Sequence, residues 1–332
     1  MDVWFQGVRP LNIVVKEVGI DVHKQTLLVS IDGAKAFSVA NAEEPIKALA
    51  GRLCEPCRIH VEASGGYERL VARIFGQAGI EVCVHNALKA HRLSQALRSR
   101  AKTDPVDARS LASNGPLLVT HPRKSDERRA LADLSRALDS VKDAIADFKK
   151  RRDMPEVDQA AKECYSEAIK RLTTHLKDAR KQFLERVRSS TLDSDFQLAI
   201  SVPDIGPQTA RICICELPED WKTTPVPKLC AYAALAPIDD SSGKRVGVAH
   251  VGQGNKRLKG AFYMPALSAI KRQVWAKDLY ARLRAKGRGH LQAIVAVMRR
   301  LFIRVLAVMR RGSPWRDEPI ALHDAQETLV AT

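Results

Sequence analysis

The sequence predicts an α/β N-terminal part, then a helical coiled-coil arm, then a mostly α-helical C-terminal part. Three observations carry this. Short β-rich runs alternate with helix-period segments up to the stretch Lys102–Arg109. Apolar residues spaced three and four apart then run unbroken from Leu131 to Phe148 and resume at Tyr165. Finally, the positive charge is concentrated near the C-terminus: between Lys244 and Arg316 there are 18 Lys and Arg against one acid, Asp278.

Taken in order, Val18-Gly19-Ile20-Asp21-Val22 reads as a buried strand carrying a single acid. Thr26 to Ile31 and Ala36 to Val39 are further β-rich runs, with Asp32-Gly33 between them as a hairpin signal. Glu43 to Leu53 has helical spacing through Ile46, Leu49 and Leu53. Arg58 to Ala63 is a strand with Glu62 near its end, and Ser64-Gly65-Gly66-Tyr67 turns into a helix carrying Leu70, Val71 and Ile74. Glu81 to Val84 is a fifth strand and Ala87 to Leu97 a helix leading to Lys102-Thr103-Asp104-Pro105-Val106-Asp107-Ala108-Arg109. Proline suits the first turn of a helix and aspartate the position before it, so Asp104 is the expected N-cap. The order β-β-β-α-β-α-β-α-α fits a mixed sheet flanked by helices.

Asp104 and Asp107, three apart, share a helix face. That spacing serves a cap and a dipole-complementing acid equally well, and an acid at a strand end is ordinarily just solvated. What sets these residues apart is that adjacent strand ends and a packed helix can bring Asp21, Glu62, Asp104 and Asp107 into one cleft. Four hard oxygen donors suit Mg²⁺ or Mn²⁺ and can hold two ions about 3.5–4 Å apart, as two-metal phosphodiester chemistry needs.

Beyond Pro122, the seam of Leu131, Leu134, Leu138, Val141, Ile145 and Phe148 is followed by a break at Met154-Pro155. Tyr165, Ile169, Leu172, Leu176, Ala179 and Phe183 then restore the rhythm. Two such helices either fold back on each other or pair with a second copy, and the sequence permits both. Ser201-Val202-Pro203-Asp204-Ile205-Gly206-Pro207-Gln208-Thr209-Ala210 has the form of a helix-hairpin-helix turn offering backbone N–H groups to a phosphate, or of an ordinary αα-hairpin turn. Leu229 to Pro237 reads as a small-residue helix ending at the proline. Ser241-Ser242-Gly243-Lys244-Arg245 and Gly252 to Lys259 interleave glycine with Lys244, Arg245, Lys256, Arg257 and Lys259, which suits loops that approach a nucleic-acid backbone.

The net charge of +16 and pI near 9.7 point to a polyanionic partner. Seven scattered cysteines and no visible secretory signal in MDVWFQGVRP make reduced thiols the expectation. Cys54-Glu55-Pro56-Cys57 has the spacing of half a zinc site, and no second CxxC or His pair answers it. Arg299, Arg300 and Arg304 interrupt the apolar stretch Leu291–Met309, which therefore reads as a buried or amphipathic helix and not a membrane span.

Several segments together resemble a known family: GIDVHK (Gly19 to Lys24), VEASGGYE (Val61 to Glu68), KTDPVDA (Lys102 to Ala108), SVPDIGPQTA (Ser201 to Ala210), LCAYAALAP (Leu229 to Pro237) and SSGK…GNKRLKGAFYMPALSA (Ser241 to Ala269). The chain is similar to the DEDD transposases of bacterial insertion sequences, the "one-ten" family related to the pilin-gene invertase Piv, which are bridge-RNA-guided serine recombinases. The resemblance implies a RuvC-like, RNase H-type catalytic domain over 1–117, a coiled-coil arm over 118–192 and a transposase domain over 193–332. It carries over Asp21, Glu62, Asp104 and Asp107 as metal ligands for Mg²⁺ or Mn²⁺, and Ser242, with Ser241 beside it, as the nucleophile that forms a transient phosphoserine link to DNA. It further implies donor and target DNA, a non-coding bridge RNA, homodimers joining into a homotetramer, no membrane, and a cytoplasmic, nucleoid-associated location. Asp204 stands where the family more often has glycine, and Gly260 where a basic residue is frequent. Two other functions compete: a junction nuclease using the four carboxylates with water as nucleophile, and a nucleic-acid-binding protein whose acids are structural.

Overall fold

The computed structural model describes residues 15–53, 56–97, 104–118, 124–238, 250–252 and 254–316. The chain divides into two compact units, 1–123 and 124–332.

The first unit is a five-stranded sheet with helices. Its elements are β1 (Lys16–Val22), β2 (Thr26–Ile31), β3 (Phe37–Ala40), α1 (Glu43–Arg52), β4 (Cys57–Glu62), α2 (Glu68–Gln77), β5 (Glu81–His85), α3 (Ala87–Leu97) and α4 (Asp104–Asn114). This is the order expected from the sequence. The strands run β3-β2-β1-β4-β5, the first three antiparallel and the β1-β4-β5 half parallel. Alternation along β1 decides which residues face which way. Val18, Ile20 and Val22 point into a core built with Leu27, Val29, Ile59, Val61 and, from α1 and α2, Ile46, Leu49, Val71, Ile74 and Phe75. Glu17, Gly19 and Asp21 therefore share the opposite face.

On that face lies α4. Gly19 permits the contact, because a Cβ there would overlap the Ala108 carbonyl and the Ala112 amide. Ala108 and Ala112, both buried, keep the helix equally slim on its side. α4 begins at Asp104 itself, one residue earlier than a cap at that position would allow, a difference within the fraying of helix ends.

The second unit holds α5 (Asp126–Arg152), α6 (Gln159–Arg188), α7 (Asp193–Ser201), α8 (Pro207–Glu216), α9 (Val226–Tyr232), the short strands β6 (Pro237–Ile238) and β7 (His250–Val251), and α10 (Lys256–Ala261), α11 (Tyr263–Arg272), α12 (Val274–Ala285) and α13 (His290–Arg311). Ser125 caps α5 and Asp158 caps α6 through side-chain oxygens. The two fold back on each other. Leu131, Leu138 and Ile145 are buried with Ile169, Leu176 and Phe183, and Phe148 meets Tyr165 near the tip at 5.9 Å between ring centroids. Of the two pairings the heptads permit, this is the intramolecular one.

Between α7 and α8 the chain turns through Val202 to Gly206, and Asp204 adopts φ +68°. That left-handed value explains why glycine suits the position; Asp204 Oδ1 accepts a 2.6 Å hydrogen bond from Ser268 Oγ. α9 ends at Tyr232, not at Pro237. Ala234 has φ +54°, and Pro237 opens β6, which pairs with β7 (Ile238 opposite His250). α13 is the apolar stretch that raised the membrane question. Its buried residues include Val297, Leu301, Phe302 and Val305, and no described helix is long and apolar enough to cross a membrane.

Candidate active site

Strand register builds the carboxylate end of the sheet. In the parallel β1–β4 pair, Gly19 lies opposite His60 and Ile20 opposite Val61, so the next step sets Asp21 beside Glu62 on one face. The direction of α4 follows from two contacts at its far end: Gly33, in the β2–β3 turn, faces Ser113 Oγ, and Gly115, just past the helix, lies against the His60 ring. Because Ile31 pairs with Val18, that end of α4 stands over the start of β1. The opposite end, with positions 104 and 107, is directed toward the end of β1, where Asp21 stands.

His23 Nε2 stands 3.3 Å from Asp21 Oδ2. After Glu62 the chain is held by Glu68, whose Oε2 accepts from the backbone N–H groups of Ser64 (3.0 Å) and Gly66 (2.8 Å), while Gly65 and Gly66 take φ of +73° and +115°. The two glycines of the VEASGGYE segment thus form a tight loop that fixes the exit from β4. Among the described residues, no three His, Cys, Asp or Glu side chains stand together in metal-holding geometry. The Asp104 side chain lies outside that description, and so do Ser241, Ser242, Lys244 and Arg245.

Behind the carboxylates runs a buried polar chain that sequence reasoning missed. Glu17 Oε2 is 2.6 Å from His60 Nε2, and His60 Nδ1 is 2.8 Å from His85 Nε2, with the two rings stacked. Burial, opposed by the Glu17 carboxylate, lowers the His60 pKa; burial and the neighbouring His60 push His85 down to about 4. The alternation of Glu17 and Gly19 with apolar residues, together with a histidine two before Glu62, was the available signal.

In the second unit, the segment read as a glycine-rich basic loop is partly helix. Asn255 caps α10, accepting from the amides of Arg257 and Leu258 at 3.0 and 3.1 Å. A Cβ on Gly254 would stand 2.7 Å from the Ala234 amide and the Tyr232 carbonyl, so close packing, not a ligand, requires that glycine. Lys256 is exposed. Arg257 is half-buried and engaged: it bonds Glu216 and lies 2.5 Å from Asp139 Oδ2. Arg211 reaches the other Asp139 oxygen at 2.5 Å and Ser135 Oγ at 2.8 Å, while Asn255 Nδ2 donates to Glu216 at 2.9 Å. Burial opposes ionisation of Asp139 and Glu216, yet the surrounding cations hold both carboxyls below their usual range. This cluster ties the root of α5 to α8 and α10.

Residues 18–154 match a family model of DEDD transposases of the IS110 type, and residues 197–281 match the model described as Transposase IS116/IS110/IS902 family. An uncharacterized 44.8 kDa protein of insertion element IS116 from Streptomyces clavuligerus is 25% identical over 375 aligned residues, which cover 88% of this chain and 94% of that protein. The pilin gene-inverting protein of Moraxella lacunata is 26% identical over 266 residues, 77% of this chain and 80% of its own. A 43.6 kDa protein of insertion element IS110 from Streptomyces coelicolor is 29% identical over 114 residues, 34% of this chain and 28% of its own. With both matched segments in this order, the chain belongs to the IS110 family of insertion-sequence transposases.

Proposed function

We propose that this transposase cuts and rejoins DNA strands with Asp21, Glu62, Asp104 and Asp107 as the metal-holding carboxylates and Ser242 as the nucleophile, and that a bridge RNA selects the sites. The observation that carries the reading is the β1–β4 register, which aligns Asp21 with Glu62 at the end toward which the first turn of α4 is directed. The sheet order β3-β2-β1-β4-β5 supports a RuvC-like domain over 1–117, and the α5–α6 hairpin supports an arm over 118–192 that precedes a transposase domain over 193–332. The pilin gene-inverting relative supports recombination over simple cleavage.

The donor set is all hard oxygen, which fits Mg²⁺ or Mn²⁺ and not a soft metal. Asp21, Glu62, Asp104 and Asp107 would hold the ions, which would supply Lewis acidity to the phosphoryl group and its leaving oxygen. The protein's own part is positional. The strands and the slim contact at Gly19 hold the acids in register, and paired β6 and β7 close the base of the segment 239–249 that contains Ser242. Ser242 Oγ loses its proton and bonds to phosphorus, the P–O bond to one strand end breaks, and that oxygen takes up a proton. Rejoining reverses the step with a new strand end. Lys244, Arg245, Lys256 and Lys259 contact phosphates, with Arg257 holding α10 in place. The working assembly is a homodimer pairing into a homotetramer, acting on DNA in the bacterial nucleoid.

Trapping with DNA and Mg²⁺ tests this. Ser242→Ala abolishes a covalent protein–DNA adduct, whereas cleavage continuing unchanged in that variant favours water as nucleophile. RNA copurifying with the expressed chain and pairing with both DNA sites is the expected guide; its absence from active protein sinks the RNA-guided part.

A further inference from the structure

We propose that the α12–α13 turn is a preformed docking point for the phosphate backbone of duplex DNA, lying outside the segments matched to the family. The inference rests on the reading that the chain acts on DNA. Arg282, Arg284, Lys286 and Arg288 are all exposed, and among the described residues none makes an ion pair. Asp278, one helical turn before Arg282, is the last acid before Asp317, and among the described residues it forms no ion pair with Arg282.

The turn is rigid, and that separates it from an ordinary solvated basic face. Gly287 takes φ +76°, and its N–H bonds the Arg284 carbonyl at 3.0 Å. The Arg288 N–H reaches the Leu283 carbonyl at 3.1 Å, and Arg284 Nη1 donates to the Arg288 carbonyl at 2.7 Å. Tyr280 Oη and His290 Nδ1 are 2.7 Å apart, and Gln292 Oε1 accepts from the Gly289 N–H at 2.9 Å. The backbone that carries the four cations, and the Arg284 side chain, are thus ordered before any ligand arrives, which lowers the cost of binding.

A second feature gives the spacing. Phe262, one turn past Lys259, packs edge-on against Phe302 at 5.3 Å, twelve residues along α13 from His290. α13 thus separates the level of α10 from the turn by about 18 Å along its axis. The major groove of a duplex is about 12 Å wide between phosphate surfaces, which puts phosphorus atoms of the two strands about 18 Å apart across it. Phosphates facing each other across that groove match the separation, which favours a duplex over a single strand.

Binding of the full chain to a random-sequence 30-base-pair DNA, measured from 0.05 to 0.3 M salt, tests the assignment. Replacing all four cations (R282Q/R284Q/K286Q/R288Q) is expected to make the log–log salt slope shallower by about 3 to 4, equally on unrelated sequences. The pair R282Q/K286Q should lose about half as much, while R282K/R284K/R288K keeps the parental slope. An unchanged slope in the fourfold variant, with parental DNA binding intact, overturns the inference and leaves the proposed function standing. A parent that does not bind DNA instead removes the reading on which the inference rests. A slope change seen on single-stranded RNA and not on the duplex overturns the duplex assignment.

Discussion

The sheet end of the first unit and the α5 root of the second both gather charges from distant parts of the sequence, to opposite effect. At the root the signs alternate: Arg211, Asp139, Arg257, Glu216, Arg136 and Lys124 compensate one another, and Glu216 ionises although it is buried. At the sheet end, register and a helix bring acids of one sign toward the same place, an arrangement that costs energy unless a cation shares it. Compensated charge holds elements together. On the proposed function, the acids directed toward one end of the sheet are a place for a cationic ligand, and the cationic α12–α13 turn is the counterpart with the sign reversed.

Substitutions at the sheet end break the comparison hardest. Asp21→Asn, Glu62→Gln or the pair Asp104→Asn/Asp107→Asn should lower strand cleavage by about 10³-fold or more in a single-turnover assay with Mg²⁺. DNA affinity should change little. Loss of affinity in step with activity makes the acids structural. At the root the order reverses. Glu216→Leu removes the carboxylate that faces Lys124, and leaves Arg257 with Asp139 and Arg136 with Asp133 as their remaining partners; it should cost about 3–5 kcal/mol of unfolding free energy in urea. Because the arm's root is in that cluster, the loss should appear in the α5–α6 helical signal; an unchanged midpoint would mean the pairs contribute nothing net.

Reading the sequence went furthest where one period fixes the answer. The β-rich run gave β1 as a buried strand with one acid, and the repeat of three and four gave both arm helices, down to the break at Met154-Pro155. It stopped where contacts are non-local. Nothing in the spacing of Asp139, Glu216 and Arg257 announces that they meet, so Arg257 looked like its neighbour Lys256 when in fact it is half-buried. Pro237 looked like a helix terminator because β6 and β7 are too short to leave a pattern. The strand and helix that carry the carboxylates were legible from the strand and helix signals, but the contact that lays α4 against β1 depends on Gly19, whose role is visible only once α4 lies across it.

Gly19 offers a sharper test of that dependence. Gly19→Ala places a methyl group against the Ala108 carbonyl and should cost about 1–3 kcal/mol of stability while displacing α4. Cleavage should fall with the displacement even where protein remains folded. Gly79→Ala, at a position where a Cβ meets open space but φ is +78°, controls for backbone strain alone and should cost stability without reducing activity per folded molecule.

The smallest expected effect concerns the buried chain behind the acids. His85 is neutral in the folded protein, with its pKa pushed down to about 4, whereas an unfolded chain takes up a proton near pH 6.5. The unfolded state therefore binds more protons between those values, and stability falls as pH drops from about 6.5 to about 4, by up to about 3 kcal/mol. The lowered His60 pKa acts in the same direction. Hydrogen-exchange protection of β4 and β5 amides, corrected for the intrinsic pH dependence, should decline over that window in the full chain, and His85→Leu should flatten the decline. At the α5 root the direction is the same but the window is lower: Asp139 and Glu216 are held below their usual pKa, so that cluster keeps its contribution until the pH approaches the lower carboxylate range. Mild acid should therefore loosen the sheet before it loosens the arm, and simultaneous loss of both would show that the histidine chain does not set the first unit's acid sensitivity.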